Sequence, residues 1–243
     1  MYQVGYDYTR FTDNGRMIWG GAFDYMDGRT DLKSINGDGG TDRLEGTFYA
    51  TYIGDSGYYG DLVLRVGRLD NDFQLTTPTT GQKLDADYKN WLYGLSFETG
   101  VKLENDTKWW LEPQVQMQYM RIEDENYRTQ QTTVDMEAID SLITRAGFRM
   151  GRTLSDDKVS NVYFKADVLH EWLGEQKIRV SDVTTPAGGS TFTIDNKGTY
   201  FDVGAGFQFK ATKSFVTYGD LEYRFGEDLE KTWIFNVGGK FLF

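Results

Sequence analysis

The sequence predicts an all-β protein, an antiparallel barrel that crosses a membrane with its strands. Three observations predict this fold: apolar and polar residues alternate with a period of two, short and long connections alternate along the chain, and the last strand has an aromatic outer row. In that strand the polar side chains take the opposite parity, and the apolar row consists of Trp233, Phe235, Val237, Phe241 and Phe243.

Each predicted strand is justified by an apolar row of its own that opposes a polar row. In chain order these rows are Tyr2, Val4, Tyr6 and Tyr8 (strand 1–11); Trp19, Phe23 and Tyr25 (17–30); Leu44, Phe48, Ala50 and Tyr52 (43–54); Leu62, Leu64 and Val66 (58–74); Trp91, Tyr93, Leu95 and Phe97 (89–104); Leu111, Val115, Met117 and Tyr119 (108–123); Ala146, Phe148 and Met150 (140–154); Val162, Phe164, Ala166 and Val168 (160–180); Phe201, Val203, Phe207 and Phe209; Leu221, Tyr223 and Phe225; and the terminal row.

The connections between these strands sort by length. Tight turns such as Asn14-Gly15 and Asp55-Ser56-Gly57 alternate with long polar loops, which we predict at 33–40, 75–88, 124–139 and 181–197. An antiparallel barrel in an outer membrane has short turns on one side and longer loops on the other. A soluble β-sandwich offers no reason for this rhythm.

The composition agrees with strands and turns and narrows the class. Aromatic residues make up 16% of the 243 residues, with 28 Gly and only 3 Pro. The mean hydropathy is −0.55, and no apolar run approaches the roughly 20 residues of a transmembrane helix. Strands that alternate average out to polar, so a barrel remains compatible with this value.

Charge and cysteine content exclude several functions. The chain has no Cys, which excludes disulfides and thiolate metal sites. Its net charge of −11 argues against a nucleic-acid partner. Neither paired metal ligands nor a phosphate-binding glycine loop is evident, and we predict no cofactor.

The strand count predicts a missing element. We count eleven strands, whereas bacterial single-chain barrels close with an even number. We therefore expect at least one further strand before residue 1. No signal peptide precedes the first strand, so we also expect a longer exported precursor or an added start Met1.

From about residue 108 onward the chain resembles the β-barrel translocator domain of bacterial autotransporters, the type V secretion family. The resemblance rests on ordered segments, which are Trp110–Gln114, Arg145–Gly151, Val162–Trp172, Asp202–Gly206, Tyr218–Tyr223 and the terminal strand. The first half fits more loosely, through Val4–Asp7.

The resemblance implies that residues 1–243 are one outer-membrane translocator domain of a 12-stranded type, truncated at its amino end. It implies an upstream passenger, a helix threading the pore and a first strand after that helix. The terminal aromatic row becomes the expected signal for the outer-membrane barrel-assembly machinery, with periplasmic chaperones and membrane lipid as further partners.

The inward rows supply charges that we expect to pair across neighbouring strands, because an unpaired buried charge is costly. They are Glu112, Arg145, Arg149, Lys165, Asp167, Glu171, Asp202, Asp220, Glu222 and Arg224. A structural, hydrated ion-pair lattice is the favoured interpretation. Cleavage of a passenger linker by some of these carboxylates, which occurs in some autotransporters, is the alternative, but it also needs a helix residue that this sequence lacks.

Aromatic residues near the strand ends predict two membrane-interface girdles rather than binding platforms. They are Trp19, Trp91, Trp109, Tyr119, Trp172, Tyr223 and Trp233. The single histidine, His170, shares the outward parity of Val168 near the rim. A rim position favours an interface role over catalysis, and we predict no catalytic residues and no enzyme activity.

The sequence thus predicts an outer-membrane anchor that exports an upstream passenger to the cell surface. The alternative is a passive channel or a structural barrel without cargo. An outer-membrane hydrolase lacks a credible set of catalytic residues.

Overall fold

The computed structural model describes residues 1–32, 37–76, 81, 83–156, 159–226 and 229–242. Within these ranges every regular element is a strand, and none is a helix long and apolar enough to cross a membrane. In order they are β1 (Tyr2–Thr12), β2 (Gly15–Leu32), β3 (Gly37–Gly54), β4 (Tyr58–Thr76), β5 (Lys83–Val101), β6 (Leu103–Glu104), β7 (Trp109–Ile122), β8 (Glu125–Arg128), β9 (Thr132–Met136), β10 (Ile139–Thr153), β11 (Asn161–Glu171), β12 (Glu175–Asp182), β13 (Thr185–Asp195), β14 (Gly198–Lys210), β15 (Phe215–Gly226) and β16 (Leu229–Phe241).

Eleven long strands form one antiparallel sheet in the order β1-β2-β3-β4-β5-β7-β10-β11-β14-β15-β16, and the two-residue β6 extends β5 along β7. Each strand pairs with its neighbour along this path. The predicted all-β antiparallel architecture and the count of eleven are confirmed.

Burial in this sheet is inverted relative to a soluble protein. On the apolar rows Val4 is 79% exposed and Phe235 is 71% exposed, whereas the polar rows bury Asp24 to 3% and Asp202 to 2%. The sheet is therefore curled with its polar rows on the inner side, which we call the interior face. The apolar rows form the outer face, as alternation in a membrane barrel requires.

The interior face also contains a few large apolar side chains. Leu92, Trp110, Leu169 and Val216 are buried there among the polar residues. They fill space between the charged groups, and they do not form the continuous apolar core of a β-sandwich.

Two predicted loops are wrong, because 124–139 and 181–197 contain strands. A separate four-stranded sheet has the order β13-β12-β9-β8 and lies at the long-loop end of the main sheet. The alternation was not recognisable in the sequence, because β8 and β9 are short and because β13 contains the turn-like segment Pro186–Gly189. Two further predicted loops are shorter than expected, since β3 begins at Gly37 and β5 at Lys83.

The predicted strand 160–180 is also wrong, since β11 ends at Glu171. Gly174 has a φ of +95°, a left-handed conformation that breaks strand geometry, and its amide donates to the carbonyl of Asp140. The chain therefore leaves the main sheet at this corner, and β12 joins the second sheet.

Aromatic stacking attaches the second sheet to the main one. The ring of Tyr127 on β8 lies parallel to that of Tyr88 on β5, with centroids 4.7 Å apart, and it meets Phe73 edge-on at 5.8 Å. Val134 is buried nearby, and the amide of Gln130 donates to Asp85 at 2.7 Å. These contacts fix the second sheet over the end of β5.

The sheet has a seam where β1 and β16 approach each other. Among the described residues no backbone ladder joins these two strands, which form the ends of the sheet. The ammonium group of Lys240 on β16 nevertheless reaches the carboxylate of Asp7 on β1 at 2.6 Å. The curl thus brings both edges within side-chain reach, while the predicted additional strand stays a prediction.

The attachment of the second sheet should weaken at high pH. Burial, and then the nearby Tyr88, raise the pKa of Tyr127 from 10.0 to about 12. Because the pKa is higher in the folded state, the stabilisation is complete below pH 10 and is lost as the pH rises towards 12. We expect proteolysis within 125–195 to accelerate across that interval.

The matched variant for this prediction is Tyr127→Phe, which keeps the stacked ring and lacks the ionisable hydroxyl. It should show a smaller acceleration than the unmodified chain between pH 10 and 12. Identical pH profiles for the two proteins would contradict the prediction.

Candidate functional site: the charged interior face

Arg145 is the centre of one group of charges and amides on the interior face. Its guanidinium contacts Glu98 at 2.6 Å and Asp167 at 3.1 Å, and it donates to the amide oxygens of Gln116 at 3.0 Å and Gln114 at 3.4 Å. One side chain on β10 therefore connects β5, β7 and β11. Multiple charge-assisted hydrogen bonds of this kind are what a buried cation needs.

A second group lies on β11, β14 and β15. Asp202, which is almost fully buried, accepts a hydrogen bond from Arg224 at 3.0 Å and lies 4.0 Å from the ammonium of Lys165. Lys165 also forms a short ion pair with Glu222. Two cations and two carboxylates thus balance each other across three neighbouring strands.

The remaining predicted interior charges are less tightly paired. Arg149 lies 4.0 Å from Glu112 and rests over the ring of Tyr163, 5.6 Å from its centre. Asp220 has no ion pair among the described residues and accepts a hydrogen bond from the Asn236 amide at 3.0 Å. These groups lie towards the more open parts of the interior.

Glu171 serves the corner at the end of β11 rather than an ion pair. Its carboxylate accepts hydrogen bonds from the backbone amides of Leu142 at 2.8 Å and Leu173 at 3.0 Å, and a short one from the hydroxyl of Ser141. The side chain therefore satisfies backbone donors where the main sheet and the second sheet part.

Sequence reasoning missed the charges of the first half of the chain. Arg43 contacts Asp24 at 3.0 Å and Glu45 at 3.8 Å, and Arg65 lies 3.9 Å from Glu45. Glu98, the closest partner of Arg145, was also missed. Their parity opposite the apolar rows was the available signal, and with them the charges extend across nearly the whole curled sheet.

The predicted interface aromatics lie on the outer face, in two groups. Trp19 and Trp109 are near the short-turn end, and the rest are near the long-loop end: Trp91, Tyr119, Trp172, Tyr223 and Trp233. The five tryptophans are exposed and the two tyrosines half-buried. Their service as membrane girdles stays a prediction.

A family comparison decides what kind of barrel this is. The family described as "Autotransporter beta-domain" matches residues 1–222. This chain is an autotransporter β-domain. The resemblance predicted from the sequence is confirmed, and the outer face of the β-domain meets the lipid of an outer membrane.

Relatives of known name agree with this assignment. The chain is 29% identical to the pertactin autotransporter of Bordetella parapertussis, over 99% of its own length and 25% of the relative. It is 27% identical to the BrkA autotransporter of Bordetella pertussis, over 99% of its length and 23% of the relative. The β-domain thus spans about a quarter of these relatives.

The solved structures support the same fold. The crystal structure of the β domain of the Bordetella autotransporter BrkA matches with a TM-score of 0.77 and 26% identity, covering 99% of this chain and 89% of that one.

The terminal strand of the β-domain presents the predicted aromatic row on the outer face. Trp233, Phe235, Val237 and Phe241 are all strongly exposed on an edge of the sheet. Phe243 lies outside the described residues. Its predicted role, and that of the whole row, in assembly stays a prediction.

His170 lies on the outer face, at the long-loop end of β11. Its Nδ1 atom lies 2.9 Å from the hydroxyl of Thr199, and its ring meets that of Trp172 edge-on. Within the described ranges, no group of three or more acidic or histidine side chains is arranged to hold a metal ion.

Replacing Arg145 tests the charge group that it centres. Arg145→Ala leaves the buried Asp167 and the half-buried Glu98 without their cation, and breaking a buried pair costs about 3 kcal/mol. We expect a marked decrease of the urea midpoint for unfolding, followed by the heat-modifiable mobility of the barrel in gels. Arg29→Ala is the control, because the Arg29–Asp27 pair is exposed and such pairs contribute about 0–1 kcal/mol. Equal midpoints for the two variants would refute this assignment.

Proposed function

We propose that this β-domain anchors an upstream passenger segment in the outer membrane and exports it to the cell surface. The observation that carries the proposal is the buried, charged interior face, which runs from the short-turn end to the long-loop end. A polar wall keeps a pore hydrated, and a hydrated pore is a route for a polar polypeptide through hydrocarbon. The length of the relatives, about four times that of the β-domain, supports a large additional segment.

We propose that the barrel closes at the seam with one further strand supplied by the rest of the protein. Among the described residues the outer edges of β1 and β16 take part in no backbone ladder, and strand edges without a ladder are not tolerated where they face lipid. The Lys240–Asp7 contact is a side-chain link, which does not replace a ladder. A strand between the edges satisfies both and gives the even number typical of bacterial barrels.

We propose that the outer row of β16 is read by the barrel-assembly machinery, with periplasmic chaperones delivering the unfolded chain. The row is mostly aromatic, is exposed, and lies on the strand that forms one end of the main sheet in the described residues. Edge pairing is a general mode by which proteins recognise strands.

A passive channel or structural barrel without cargo is the second candidate, because a polar interior also conducts small solutes. No part of the proposed function requires catalysis by the β-domain, and the interior charges serve structure and hydration. Export and passive conduction are separated by following a cargo.

Export is tested in cells with the full-length precursor carrying an epitope upstream of residue 1. We expect the epitope to be digested by protease added to intact cells, and to remain in the periplasm when residues 1–243 are deleted. If the epitope stays protected although the barrel is heat-modifiable in the outer membrane, the export proposal is wrong. Sugar uptake by liposomes containing the protein then measures the channel alternative.

The terminal row is tested with Phe241→Ala and Phe243→Ala. We expect each to lower the amount of barrel in the outer membrane several-fold, because both remove an aromatic group from the proposed signal. Phe209→Ala is the control. Phe209 is exposed on the outer face near the same short-turn end, but its strand, β14, has a neighbour on both sides in the main sheet. Equal losses for all three variants would show that outer-face packing, rather than a terminal signal, is responsible.

A further inference from the structure

A groove lies on the outer face across β7, β10 and β11. Its floor is formed on β10 by the small side chains of Thr144 and Ala146. Larger side chains on the flanking strands form its walls, and these are Phe97, Val115, Met117, Val168 and His170. The cavity has a volume of about 430 Å³, within the range of small-molecule sites.

The groove lies in the part of the outer face nearer the long-loop end of β10 and β11. Its apolar part continues the outer row of β10 towards Phe148, and its upper end is His170, one residue before the end of β11. That end carries the long connections, which face the outside of the cell in barrels of this class.

Gln116 and Arg145 also border the groove, but they bond to each other on the interior face. Two further pairs of polar side chains lie at the upper end. The indole of Trp172 donates to the hydroxyl of Thr144 at 2.9 Å, and Nδ1 of His170 lies 2.9 Å from the hydroxyl of Thr199. When the Thr199 hydroxyl donates to Nδ1, the neutral imidazole carries its proton on Nε2. Among the described residues nothing accepts a hydrogen bond from that Nε2 atom.

An apolar groove with one donor at its outer end matches one chemistry. An acyl chain fills the groove, and the ester carbonyl that joins it to a headgroup accepts the hydrogen bond. The groove is continuous with the lipid-facing surface, so the occupant comes from the bilayer. At the rim Arg121 is already paired with Asp140, so this cation does not select an anionic headgroup.

We propose that this groove is a specific site for one ester-linked acyl chain of an outer-leaflet lipid, with His170 Nε2 donating to the ester carbonyl. Lipid tails are as apolar as the groove, so apolar contact alone confers little preference over bulk lipid. Specificity instead comes from close packing over the small floor and from the hydrogen bond. The site rests on the outer-membrane location alone and is independent of passenger export.

Native mass spectrometry of the full chain in detergent tests the site with two probes. One is dipalmitoyl phosphatidylethanolamine, and the other is its dihexadecyl ether analogue, which lacks both carbonyls. We expect one ester lipid to be retained per chain, and the ether lipid to be retained about five-fold less, as the loss of one hydrogen bond of about 1 kcal/mol implies.

Three variants separate the contributions. Ala146→Phe fills the groove and should abolish retention of both lipids, whereas Ala205→Phe makes the same change at an exposed outer-face alanine on β14 and should retain them. His170→Phe keeps an aromatic wall without the donor, and should bind ester and ether lipids equally. Heat-modifiable mobility confirms that each variant is folded.

The proposal is overturned if the unmodified chain retains ester and ether lipids equally. It is also overturned if Ala146→Phe retains as much lipid as Ala205→Phe, or if His170→Phe keeps the ester preference. Retention of detergent alone by the unmodified chain is a negative result for the site.

Discussion

Backbone hydrogen bonding in hydrocarbon is the constraint on which the rest of this β-domain depends. A peptide group that faces lipid has no water to bind, so each strand must be paired on both sides along its membrane-spanning length. The strands β3 and β4 meet this demand, because the ladders β2–β3, β3–β4 and β4–β5 run without interruption along nearly their whole length. The seam between β1 and β16 is where the described residues form no such ladder, and the closing strand that we propose would supply one.

The interior charges are the second consequence of the inverted surroundings. With hydrocarbon outside, the inner rows are the place for polar residues, and charges there must be neutralised by neighbours on adjacent strands. Arg145 does this with carboxylates on β5 and β11 and an amide on β7, and Asp202 does it with cations on β11 and β15. The ion pairs thereby cross-link the same strands that the backbone ladders join.

The barrel itself was predictable because its signal is local. The period of two and the turn residues depend on near neighbours in sequence, so eleven strands, their order and the facing of residues such as Asp167 and Phe164 followed from the pattern. The second sheet was not predictable in this way. Its strands are short, and Tyr127 becomes buried only because Tyr88, 39 positions earlier, lies beneath it.

The partners in the interior ion pairs also could not be predicted from a local pattern. Glu98 and Arg145 are 47 residues apart, and parity alone states that both face inward without stating that they meet. Glu171 shows the reverse error, since its inward parity suggested a pore charge while its contacts are the backbone amides of a corner. The contacts of Glu171 depend on the corner at the end of β11, and the alternation of apolar and polar residues does not predict that corner.

The corner at Glu171 and Gly174 separates the main sheet from the second sheet. Glu171 and Gly174 satisfy the backbone where β11 ends, so the upper edge of the membrane-spanning sheet is completed by residues of its own. The strands β12 and β13, which follow the corner, add contacts at the long-loop end without changing the register of the main sheet. The second sheet is therefore a place where evolution or an engineer can exchange one surface structure for another while the main sheet and its interior face are kept.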